Sequence, residues 1–442
     1  MNDTALKPPL IASPADQPPT RPLLAAAGAW VYRTLELAAS LRLTVVLFAL
    51  SVGLVFLGTL AQMDEGLAVV LNNYFRSIIA WLPVRVFVRF GQVFLNVDPH
   101  LYTSGDEAVL RFPYPGGWLL GSLLMVNLLA AHLVRFRLTW KRSGVLVLHS
   151  GLFLLMLSEW IAGMYQVEGN MTIPTGGMSN YTENRDRVEL VFIDTSDPKE
   201  DAVVAVPGAL LREGEVIRHP DLPVDVRVER YYANSSEPRR PRPGEENPAT
   251  AGDGVHLVTE PRRRGVGVDA EQRIDLPSAY VTFLDKKTGA SRGTYLQSVW
   301  LSALSNQPTQ PLTIDGKTWQ TALRFERSYR PYTLYLLEFR HDKYIGTETP
   351  KNFSSLIRLV DPQMNEDRQV LIRMNEPLRY RGETFYQSSF LPGDRGTVLQ
   401  VVRNPGWRLP YVSCGLVAGG MLVHFLIAMV GFFVRLARKG TL

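Results

Sequence analysis

The stretch from Arg135 to Ala162, RFRLTWKRSGVLVLHSGLFLLMLSEWIA, sets a basic turn directly before a membrane-length apolar segment. A bilayer core takes roughly 20 apolar residues at about 1.5 Å rise each, and Gly144 to Ala162 meets that length. Arg135, Arg137, Lys141 and Arg142 precede it with no acid among them. An excess of Lys and Arg in short loops marks the cytoplasmic side, so the segment is expected to run from inside to outside. His149 falls about two turns into it, roughly 8 Å from the cytoplasmic surface. An ionisable side chain at that depth is costly and is a functional-site candidate by default.

The same test finds three further spans. Arg33 and Arg42 flank Leu43 to Ala61, a charge-free run followed by Asp64 and Glu65. Its leading end is therefore cytoplasmic, and residues 1–42 are expected to form a cytoplasmic tail, of which 1–24, rich in Pro and Ala, reads as disordered. Thr59-Leu60-Ala61 resembles a signal-peptidase site, but the run exceeds a signal h-region and is expected to stay as an anchor. An outside loop, 63–117, contains Leu67 to Phe90, whose mixture of apolar and basic residues suits either a helix at the membrane interface or one packed on a soluble domain. Pro113, Pro115 and Gly116-Gly117 break the chain before the second span, 118–134, which returns inward; 144–162 is the third. The fourth, 409–434, follows Pro405-Gly406-Trp407 and closes with Arg435, Arg438 and Lys439, leaving 435–442 cytoplasmic.

Residues 163–408 hold no other membrane-length run. Short β-branched or alternating segments recur instead: VELVFID from Val188, VDVRVERYY from Val224, AYVTFL from Ala279, TLYLLEF from Thr333, SLIRLV from Ser355, QVLIRM from Gln369, ETFYQSSF from Glu383 and TVLQVV from Thr397. The expected class is membrane α + β: four transmembrane helices with a large extracytoplasmic all-β, sandwich-like domain between helices 3 and 4. Residues 235–273, crowded with Pro, Arg, Gly and Glu, read as a disordered insert in that domain.

Composition removes several kinds of chemistry. The only cysteine, Cys414, lies in a span, so an internal disulfide, a CxxC redox pair and a Cys-based zinc site are excluded. The net charge of +5 comes largely from the cytoplasmic flanks and the insert, which argues for a lipid bilayer as partner and against nucleic acid. The sequence has no nucleophile elbow, phosphate loop, HExxH or paired-carboxylate pattern, so the chain is expected not to be an enzyme.

The histidines carry the remaining signal. His149 and His424 lie at comparable depth on antiparallel spans, and two neutral imidazoles can supply the axial ligands of a haem iron in a helix bundle. Without a CxxCH motif such a haem would be non-covalent, haem b. His132, at the cytoplasmic end of its span, is a third candidate ligand, its alternative being a hydrated or snorkelling imidazole; for His149 and His424 the alternative is a hydrogen bond to a neighbouring helix. Asn127 in the same span is expected to bond another helix. His219, His256 and His341 read as surface histidines in loops or in the insert, and His100 as a residue of the membrane-facing outer loop.

The order of parts resembles the ResB family of System II cytochrome c biogenesis proteins. Gly58 to Gln62 looks like the end of that family's first helix, Asn127-Leu128-Leu129 like a stretch of its second, and His149-Ser150-Gly151-Leu152 is similar to the His-x-Gly-aliphatic motif of its third. In the soluble part, Asn352-Phe353-Ser354-Ser355 resembles an aromatic-x-Ser segment. The most specific match joins Asn375, Pro377, Leu378, Tyr380 and Gly382 to Tyr386, Gln387, Ser388 and Phe390, with Asn404-Pro405-Gly406 leading to the last helix. The second helix departs from the pattern, with Ala-Ala-His where a cysteine is often seen. The resemblance implies a bacterial inner-membrane component that presents haem to apocytochrome c together with a ResC-type partner, with His149 contributing to a transmembrane haem and the partner supplying the second ligand. Two other readings stand beside it: a stand-alone b-type haem electron-transfer protein, and a membrane anchor whose β-domain binds an envelope partner.

Overall fold

The computed structural model describes residues 30, 32–97, 110–198, 200–265, 274–304, 308–346 and 350–439. Most of the N-terminal tail, His100, residues 266–273 of the insert and 440–442 lie outside the described residues. Among the described residues four helices are long and apolar enough to cross a membrane: α1 (Leu41–Ala61), α3 (Gly117–Val134), α4 (Ser143–Tyr165) and α5 (Leu409–Lys439), with a shorter helix, α2 (Val84–Leu95), between the first two. Few side chains on the four long helices are buried, as expected where lipid or a second protein covers them.

The outer loop departs from the single helix expected over Leu67 to Phe90. It forms a turn of helix at Leu67–Val70, then β1 (Ile79–Pro83) and α2, and β1 pairs antiparallel with β2 (Arg111–Pro115). Pro83 explains the division, because a proline without an N–H cannot sit inside a helix but can precede its first turn. Asp64 ties this region down by accepting from Arg89 at 2.6 and 2.9 Å and from Arg263 of the β-rich part at 3.2 Å. Burial alone would raise the Asp64 carboxyl, but the Arg89 guanidinium holds it below the usual carboxylate value.

The remaining strands are β3 (Val167–Pro174), β4 (Met178–Asp194), β5 (Ala202–Pro207), β6 (Val216–Ile217), β7 (Asp225–Tyr232), β8 (Ser278–Leu284), β9 (Ser291–Ser298), β10 (Gln310–Ile314), β11 (Lys317–Lys343), β12 (Pro350–Asp361), β13 (Glu366–Arg373), β14 (Leu378–Tyr380), β15 (Glu383–Phe390) and β16 (Gly396–Arg403). One sheet runs β13-β12-β11-β4-β3-β16-β15-β14, with β10 and β5 added to β11 and β4; a second runs β6-β7-β8-β9. The two longest strands, β4 and β11, pair with each other, and their register breaks between Phe325 and Glu326. On one side of that break the two sheets close over Leu190, Phe192, Val226, Val281, Phe283 and Leu323, a sandwich. On the other, the larger sheet curls until Ile357, Leu359 and Ile372 share a core with Phe385, Leu399 and Val401 from its far end.

The expected disorder of 235–273 is not what the structure holds over 235–265. Tyr280 and Leu296 point away from the sandwich core and need cover, which Ala249, Leu257 and Tyr232 supply. Bridges Ser235 to Pro261 and Arg239 to Val258 close the segment on itself, and a bridge from Ala251 to Tyr295 of β9 and a hydrogen bond from Ser235 Oγ to Leu276 O at 2.8 Å fix it to the sheet. Its polar composition hid a few apolar residues that suffice to anchor it.

Candidate functional site

Polar atoms inside the helical part converge where α3 meets α4. Asn127 is buried and tied to the start of α1: its amide donates to Ala38 O at 2.6 Å and Ser40 O at 3.1 Å, and its carbonyl accepts from Thr44 Oγ1 at 2.7 Å. One turn later His132 engages both ring nitrogens. Nδ1 lies 2.9 Å from Leu128 O on the same helix, and Nε2 lies 3.2 Å from His149 Nδ1 on α4. The two imidazoles meet edge to face, with centroids 5.0 Å apart, and Phe136 stacks on the other side of His132. His149 Nε2 has no hydrogen-bond partner among the described residues.

His424 is not brought to His149. Along α4, Gly144, Leu148 and Gly151 lie flat against Ser413, Val417, Gly420 and His424 of α5, so closely that a Cβ on Gly151 would come within 2.8 Å of Val417 Cγ2, and one on Gly144 would meet the His424 backbone. Small residues let helix backbones approach in this way. At about 100° per residue, His149 points roughly 140° around α4 from that stripe, toward α3. The His424 ring is exposed and has no hydrogen-bond partner among the described residues.

Among the other histidines, His219 and His256 are exposed, as expected. His341 is not. It lies on β11, its side chain 4% exposed, with Nδ1 2.9 Å from Asp394 Oδ1, the rings of Phe353 and Phe390 at 4.6 and 4.7 Å, and Nε2 buried without a partner. It is a core histidine of the curled sheet, missed because the segment TLYLLEF was read as ending before it.

The motif residues from Asn375 to Phe390 form a hairpin and a polar seam. Asn375 takes a positive φ of 65° in the turn after β13, Pro377 follows, and Leu378 enters the core. Arg381 and Gly382 join β14 to β15 with both φ values positive, a two-residue turn that favours glycine. Gln387 accepts from Ser355 Oγ at 2.6 Å and donates to Thr397 Oγ1 at 2.9 Å, linking β12, β15 and β16 inside the curl, while Tyr386 and Ser388 face outward.

Comparison with known proteins bears on this part of the chain. The ResB-like family model matches residues 294–398. The chain carries a ResB-like segment. Protein NrfI of Wolinella succinogenes is 32% identical over 108 residues, 24% of this chain and 12% of NrfI. Cytochrome c biogenesis protein CcsB of a Picosynechococcus strain is 36% identical over 86 residues, 20% of this chain and 18% of CcsB. The matched regions thus span less than a fifth of either curated relative. The ResB-like segment runs from within β9 into β16, so it contains the hairpin motif and His341 but not His132, His149 or His424.

Proposed function

We propose that this chain is a non-catalytic membrane subunit of cytochrome c biogenesis that presents haem to apocytochrome c together with a ResC-type membrane protein. The ResB-like segment, with its likeness to CcsB, carries this reading. The donor chemistry supports the haem part. A single unengaged imidazole nitrogen fits one axial position of a porphyrin iron, whereas a bare divalent ion needs several protein donors. Among the described residues no three His, Cys, Asp or Glu side chains gather to hold such an ion. His149 would hold the iron through Nε2, and a further donor would come from the partner, since His132 is engaged at both nitrogens and His424 lies on another face.

The charge pattern supports the sidedness. Arg33 before α1 and Arg42 in its first turn, the Arg135 to Arg142 cluster between α3 and α4, and Arg435 and Arg438 in the last turns of α5 belong at one membrane surface, the cytoplasmic one. The β-rich part then lies outside, where an extended apocytochrome segment can dock on a sheet edge. Co-expression with and without a ResC-type protein, read as covalent haem on a reporter cytochrome, tests the proposal. Haem attachment should need both proteins; attachment undiminished without this chain would defeat it.

A further inference from the structure

We infer that His132 is a positioning residue that sets the proton on His149, so that His149 turns a lone pair rather than an N–H outward from Nε2. The inference deepens the haem reading of His149 and takes the identity of the ligand from it.

The argument follows the hydrogens. Leu128 O carries no proton, so the 2.9 Å contact requires an N–H on His132 Nδ1. With His132 as a neutral imidazole, the proton on Nδ1 leaves its Nε2 with a lone pair. The 3.2 Å contact then needs its hydrogen on His149 Nδ1, which leaves the lone pair of a neutral His149 on Nε2. Only that tautomer can bind iron through Nε2. Histidine ligands commonly donate their other ring N–H to an acceptor that fixes the ring and raises its basicity; here the acceptor is a second imidazole.

The surroundings hold the relay in place. Asn127, next to Leu128, fastens α3 to the start of α1 through three hydrogen bonds, and the stacked Phe136 ring restricts His132. The two histidines thus act in order, one oriented by backbone and one oriented by its neighbour.

The test uses the full chain in lipid bilayers, labelled with 15N-histidine and read by solid-state NMR. Wild-type His149, assigned by the signal lost in His149→Gln, should be protonated at Nδ1; protonation at Nε2 overturns the inference whatever the variants do. In His132→Leu the Nε2–H form should gain, and an unchanged Nδ1–H signal also overturns it. With the natural partner present, His132→Leu should bind haem about tenfold more weakly, while His132→Gln, whose side-chain carbonyl can still accept, should recover most of that loss. Equal haem affinity in wild type and the leucine variant counts against the positioning role. A colourless wild type with Nδ1–H at His149 supports the proton assignment and defeats the haem reading instead.

Discussion

Two imidazoles in this molecule, His149 in the membrane helices and His341 in the β-rich part, share one arrangement: Nδ1 is engaged and Nε2 has no partner. They differ in what surrounds the second nitrogen. His341 is sealed between Phe353 and Phe390 and held by a carboxylate, so its ring fills a core. His149 stands on a partly open helix face, held by a second imidazole. Hydrogen bonding alone therefore does not separate the two rings; access does.

The sharpest way to break this comparison is to remove each ring in turn. His149→Ala should abolish haem retention by the complex, seen in its absorption spectrum, whereas His341→Ala should leave haem unchanged and lower the stability of the β-rich part by about 1–3 kcal/mol in a denaturation curve. Haem lost in both variants would erase the distinction. A second test moves the helix rather than the ring. Gly420 has no room for a side chain against the Leu148 backbone, so Gly420→Leu should separate α4 from α5 and cost about 1–3 kcal/mol, measured by thermal unfolding in detergent, with a smaller loss of haem than His149→Ala.

The smallest expected effect concerns the tie between the outer loop and the β-rich part. Asp64 has its carboxyl value depressed on folding, so its contribution is fully present above the unfolded value near pH 4 and is lost as pH falls through the lower folded value. Faster hydrogen exchange in α2 below about pH 4, reproduced at neutral pH by Asp64→Asn with a cost of about 1 kcal/mol, is the expected outcome. Exchange that ignores both changes would show that the ion pairs with Arg89 and Arg263 contribute nothing.

The four long helices were legible to within a few residues because apolar length and flanking charge are local properties of the sequence. The strands from VELVFID onward were legible for the same reason, as alternation survives without knowledge of partners. β3 and the first part of β11 were not read, since each is held by a neighbour distant in sequence; nor were β5 and β10, short hairpin partners of β4 and β11. His149 stood out by depth alone. Its contact with His132 did not, because pairing across a turn depends on which faces of two helices meet. The seven-residue spacing of Gly144 and Gly151 is the sequence signal for the α5-facing stripe, and it turns His149 away from His424.

The ends of the β-rich part root it in the helices beside that stripe. β3 leaves α4 after Gln166, β16 returns to α5 through Asn404, these two side chains bond at 3.0 Å, and the strands pair along their whole length from Val167 with Arg403 to Pro174 with Gly396. Glycine-packed helices below and a laddered pair above make one stiff mast of roughly 25 Å beyond the bilayer, at about 3.3 Å per strand residue. A tilt of α4 near His149 would swing the top of that mast, carrying a movement among the helices to a surface they do not touch.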